Sequence, residues 1–138
     1  MRRTTPPSAV DSASAFIHSA IDAARWVAFQ RASETARSDA VITDHFAARF
    51  IGPRLQPETA VDCRVAFRAA SIDRLITGLV ASLQVDTVLN LGAGFDTRPQ
   101  RLDLPASLRW IEVDDERVLE EKATALEGEP TVTAPSNV

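Results

Sequence analysis

The stretch Val88-Leu89-Asn90-Leu91-Gly92-Ala93-Gly94 limits the folds open to this chain more than any other. Thr87 to Leu91 is short and mostly apolar, which reads as a strand buried on both faces, the kind found in parallel sheets. It ends in Gly-x-Gly. With no side chain at Gly92 or Gly94, the backbone there can lie close to a ligand. A helix is expected from Asp96 to Leu102, and its N-terminus offers free N–H groups and positive potential. Leu108 to Val113 reads as a second strand. Asp115 to Glu127 reads as a helix, stopped by Gly128 with Pro130 beyond. This β–turn–α–β–α order predicts an α/β fold with a parallel sheet of the doubly wound type.

The residues before the first strand have a different pattern. Residues 1–10 read as a flexible leader, and 11–83 as a helical segment. Asp11, Ser12 and Ser14 are candidate caps of a first helix whose apolar stripe is Ile17, Ile21, Ala24 and Ala28. Its outer face would carry Asp22, Arg25, Arg31 and Glu34. A short second helix is expected from Asp44 through Phe46 and Phe50 to the Gly52-Pro53 stop. A third is expected from about Glu58 to Leu83, with Val61, Val65, Ile72, Leu75, Ile76, Leu79 and Val80 on one apolar face or two. Residues 84–138 then form the sheet-bearing part, where a third strand could begin only at Thr131-Val132-Thr133.

Composition excludes several functions. At 138 residues the chain has room for one domain. Fifteen basic against nineteen acidic residues give a net charge of -4, so there is no positive field for nucleic acid. A lone cysteine, Cys63, expected to be packed or half-buried in the third helix, allows no internal disulfide and fits a reducing, cytoplasmic compartment. Two histidines, His18 and His45, are too few for most metal centres and have no serine partner in view. No apolar run approaches the roughly 18 residues of a membrane helix. Trp26 and Trp110 read as core anchors, and Glu116, Arg117, Glu120, Glu121 and Lys122 as a solvated helix face.

The chemistry centres on Gly92, Ala93, Gly94 and Asp114. Asp114 follows the second strand, 20 positions after Gly94, where a carboxylate can accept hydrogen bonds from both ribose hydroxyls of a nucleoside cofactor. The plainer role is to cap the next helix, and Asp115 could do that instead. A dinucleotide fold wants a third glycine three positions after the second, but Thr97 stands there with Asp96 before it. A carboxylate at that place repels a pyrophosphate and tolerates a sulfonium. The balance therefore moves from NAD to S-adenosyl-L-methionine.

Leu91-Gly92-Ala93-Gly94-Phe95-Asp96-Thr97-Arg98, then Arg101-Leu102, then Glu112-Val113-Asp114 resembles the leucine carboxyl methyltransferase family. Ala24-Arg25-Trp26-Val27-Ala28, Arg31-Ala32-Ser33-Glu34 and Asp44-His45-Phe46-Ala47-Ala48-Arg49 are similar to its N-terminal helical segment, in the same order. The likeness covers roughly residues 14–125. It implies a helical segment followed by the first βαβα units of a Rossmann-like S-adenosyl-L-methionine methyltransferase sheet. The implied reaction is direct methyl transfer to a carboxylate or hydroxyl of a small molecule or protein. By the same resemblance Arg68 reaches the cofactor carboxylate or is a solvated helix arginine, Gly92 lies beside the methionine part, and Asp114 holds the ribose. Arg98 and Arg101 match family positions and are expected in structural ion pairs. Asp96 is expected to cap the helix or to bond near the amino group. No catalytic base can be named.

The resemblance also implies later strands carrying adenine and amino-group contacts, which are expected to be missing from residues 1–138. The expectation is thus an incomplete sheet in a truncated or partial methyltransferase, with a second copy or a complementing chain completing it. The rival readings are a catalytically inactive remnant serving as an interaction module, and a fragment of an NAD-dependent oxidoreductase.

Overall fold

The computed structural model describes residues 16–55 and 61–130. Helix α1 is Ala20–Thr35. Ser19 caps it: its hydroxyl accepts from the Asp22 amide at 3.2 Å and donates to the Asp22 carboxylate at 3.0 Å. The leader and the caps expected at Asp11, Ser12 and Ser14 lie outside the described residues. A single 3₁₀ turn, Ala47–Phe50, follows where the short helix is expected. Helix α2 is Cys63–Leu83, capped by Asp62 and closed by Gln84 in the left-handed region at φ +51°. Strand β1 is Thr87–Leu91, the single-turn helix α3 is Arg98–Arg101, strand β2 is Arg109–Val113, and helix α4 is Glu116–Ala125. Asp115 caps α4 by accepting from the Arg117 amide at 3.0 Å, as expected of it. Gly128, at φ +81°, follows the end of that helix. The third strand considered at Thr131–Thr133 is outside the described residues.

The two strands pair in parallel, Thr87 with Arg109 through Leu91 with Val113. The chain is thus a mixed helix and strand protein built on a small parallel two-stranded sheet. Three apolar groups hold it together. Ala24, Ala28, Phe50, Phe95, Val118 and Leu126 join α1, the 3₁₀ turn, the glycine turn and α4. Within that group the rings of Phe50 and Phe95 stack with centroids 4.5 Å apart. Such a pair adds about 0.5–1.5 kcal/mol beyond the area it buries. Val80, Leu104, Leu108 and Trp110 seal α2 against the sheet. Trp26, Phe29 and Leu55 form the third group. Both tryptophans are core anchors.

Four expectations are corrected. Strand β1 is not buried on both faces: Leu89 is 57% and Leu91 69% exposed. Among the described residues it has a neighbour on one edge, and no described element covers the face that Leu89 and Leu91 share. Arg31 and Glu34 are not on an outer face; both are buried, because α1 is packed nearly all round. Glu34 is held there by the Val41 amide at 2.7 Å. Lys122 is not solvated; its ammonium lies 2.6 Å from each oxygen of Glu112, which is also buried. Finally, Cys63 is exposed, since it opens α2 on the solvent side.

Candidate functional site

The glycine turn is fixed at its upstream end by β2. The amides of Gly92 and Ala93 both donate to the Val113 carbonyl, at 2.8 and 3.2 Å. Gly92 and Gly94 take φ values of +66° and +52°, which explains why both positions are glycine. A Cβ on Gly92 would point into open space. The Gly94 amide donates to Asp114 at 2.6 Å, so the carboxylate and the turn meet although 20 residues separate them. The other Asp114 oxygen accepts from the Asp115 amide at 2.7 Å. A carboxylate has about four acceptor positions, so two remain open.

A cavity of about 390 Å³ lies beside this turn, walled by α1, α2 and the end of β1. Ligand pockets run to about 300–1,000 Å³, so it is large enough for a nucleoside-sized group. Arg68, Gly92, Ala93, Gly94 and Asp114 all line it, so the five residues expected to bind the cofactor meet in one place. Arg68 is exposed and makes no ion pair with a described residue. It is therefore available to an anionic group in the cavity. The open space at Gly92, the spare acceptor positions of Asp114 and the unpaired Arg68 fit an amino-acid nucleoside such as S-adenosyl-L-methionine.

Sequence reasoning missed part of the lining. Ala20, Ala24, Val27 and Arg31 of α1 form one wall, and Asn90 and Phe95 reach it from the sheet side. Asn90 left a signal, a polar residue near the end of an apolar strand. Arg31 left none, because the face of a helix buried all round cannot be read from its periodicity.

The charges beneath the turn are paired. Arg98 donates to Asp73 at 2.7 Å and to Asp96 at 2.6 Å, and Arg101 donates to Asp73 at 2.6 Å. Both arginines thus sit in part-buried ion pairs. Asp96 accepts from the Arg98 amide at 3.0 Å, a local cap, and from Asn90 at 2.9 Å. Burial opposes its ionisation, but Arg98 above all, with Lys122 and Arg31, outweighs that and holds its carboxyl below the usual value. Glu112 goes the other way. Burial pushes its carboxyl up, and Lys122 and Trp110 offset this only in part.

These features define a class: an α/β protein with a ligand-sized cavity at the carboxyl ends of two parallel strands. Comparison with known sequences takes the assignment further. The profile of the leucine carboxyl methyltransferase family matches residues 24–136, and the chain belongs to that family. It is 36% identical over 122 residues to a Frankia alni protein, an overlap of 77% of this chain and 42% of the relative. A Rhodococcus jostii protein is 35% identical over 112 residues, 72% of this chain and 38% of that one. A Mycobacterium marinum protein is 31% identical over 129 residues, with shares of 75% and 40%. All three carry the name "Putative S-adenosyl-L-methionine-dependent methyltransferase". The chain spans about two fifths of the length of these curated relatives. S-adenosyl-L-methionine is the cofactor of the family. Among the described residues no helix is long and apolar enough to cross a membrane, and no cluster of potential metal ligands occurs.

Proposed function

We propose that this chain contributes the first Rossmann-like units of an S-adenosyl-L-methionine-dependent O-methyltransferase, acting on a carboxylate or hydroxyl acceptor. One observation carries the reading: the Asp114 carboxylate lies 2.6 Å from the Gly94 amide at the rim of the cavity. The donor, when bound, supplies a methyl group activated by its sulfonium. The chain's residues bind and orient it. Asp114 would accept from the ribose hydroxyls through its open lone pairs. The Gly92–Gly94 backbone would lie against the methionine part, and Arg68 would pair with the carboxylate. A carboxylate acceptor needs no base, whereas a hydroxyl acceptor usually does. No residue of the site is assigned as one.

Asp96 argues against NAD. It lines the cavity and is held ionised at neutral pH, so it would repel a pyrophosphate. Thr97, where a dinucleotide site wants glycine, is buried with its hydroxyl bonded to Asp44 at 2.8 Å. The single cysteine supports a cytoplasmic setting. A second copy or a complementing chain covering the open face of β1 belongs to the same proposal. Calorimetry with S-adenosylhomocysteine and with NAD tests it. Heat with the first and none with the second is expected. The reverse would support the oxidoreductase, and silence with both the inactive remnant.

A further inference from the structure

Asp44 is the least exposed carboxylate among the described residues, and it lies outside the cavity. Its side chain is fully buried. An unpaired carboxylate there would be costly, and the structure supplies donors on every side. One oxygen accepts from Arg31 Nε at 2.8 Å and from the Thr97 hydroxyl at 2.8 Å. The other accepts from the Ala47 and Phe46 amides at 3.0 and 3.2 Å. Arg101 Nε is 3.9 Å away and has no hydrogen-bond partner of its own. Arg31 also spans to the turn, where its Nη2 donates to the Phe95 carbonyl at 2.5 Å.

The segment from Phe95 to Thr97 is therefore tied to one carboxylate at both ends, at Phe95 through Arg31 and at Thr97 directly. The glycine turn just before it is tied to β2 and Asp114. Two glycines with positive φ leave the intervening backbone without the steric limits a Cβ would impose. A turn anchored on one side only would sample many arrangements of its amides. We propose that Asp44 is a positioning residue for the cofactor turn, and that it also neutralises Arg31 in the cavity wall. The inference rests on the S-adenosyl-L-methionine reading above.

The electrostatic part gives a readout that loss of structure alone would not move. Without Asp44, Arg31 leaves an uncompensated positive charge in the cavity wall. That charge opposes a sulfonium but not the neutral thioether of S-adenosylhomocysteine. The test is Asp44→Asn in the full chain, with Leu108→Ala as a control whose core lies away from the turn. Amide hydrogen exchange of the free protein and titrations with both ligands are measured. In Asp44→Asn the protected amides of Gly94 and Asp96 should exchange about tenfold faster than in the control. Affinity for S-adenosyl-L-methionine should fall about 3- to 10-fold further than that for S-adenosylhomocysteine. Thr97→Val, a milder uncharged change, should speed the same amides about threefold and weaken both ligands equally. It decides the matter if Asp44→Asn does not fold. Exchange at Gly94 and Asp96 no faster than in the control would overturn the proposal, as would equal losses for the two ligands in Asp44→Asn. If the unmodified chain binds neither ligand, the cofactor reading fails. The exchange data on the free protein still decide whether Asp44 holds the turn.

Discussion

Two sides of β1 present opposite solutions to the same problem. Toward α1 and α3 the chain buries charge and pairs it, three arginines (Arg31, Arg98, Arg101) against three aspartates (Asp44, Asp73, Asp96). On its other face Leu89 and Leu91 are exposed. Each charge of the polar seam has an opposite partner within the described residues, whereas the face of Leu89 and Leu91 has no cover among them. The difference teaches that the glycine turn is shaped locally by paired charges, while one face of the strand before it stays exposed among the described residues. A formed polar seam and an exposed apolar face can coexist because they depend on different atoms.

The largest effect should come from breaking the seam. Asp73 accepts from both Arg98 and Arg101, and removing it leaves two buried guanidinium groups short of a partner. Asp73→Ala should cost about 3–5 kcal/mol in denaturant unfolding. A loss near zero would mean that solvent reaches the seam freely. Next in size is Asp114→Ala. It should weaken S-adenosylhomocysteine at least about tenfold, or ~1.4 kcal/mol, by calorimetry. An unchanged affinity would dismiss the ribose assignment.

Acid provides a subtler probe of the seam. The Asp96 carboxyl lies below its ordinary value of 3.8 in the folded state. Its ionised form therefore adds stability above that ordinary value, and this is lost as pH falls through the lower folded-state value. Asp96→Asn should flatten that part of the acid limb in unfolding measured against pH. An identical limb in both proteins would show that Asp96 does not contribute. The smallest effect belongs to the open face. In the dilute, monomeric chain Leu89→Ser should change stability by no more than ~0.5 kcal/mol, because more than half of that side chain is exposed. A larger loss, or one that depends on protein concentration, would reveal a covered face in solution.

Much of the site was legible because turn chemistry is local. Gly92 and Gly94 announced the bend, and the twenty-residue step to Asp114 follows from one strand, one short helix and another strand. Capping was equally readable at Asp115, where a carboxylate precedes a helical pattern. Three features could not be read. Arg31 meets Asp44 only because α1 folds back on the loop after it, which no helical period encodes. Lys122 sits on the polar side of α4 by spacing, yet Glu112 of β2 draws it inward. Leu89 and Leu91 have the apolar pattern of a covered strand, and a pattern of residues cannot state whether the cover is present.

Helix α1 rests almost directly on the glycine turn. A methyl group built on Gly94 would touch that of Ala24 at 3.5 Å. The gap between the first helix and the glycine bend is thus set by the smallest side chain that can have a direction. A bulkier residue at position 24 would press on the glycine bend and take up part of the cavity that Ala24 lines.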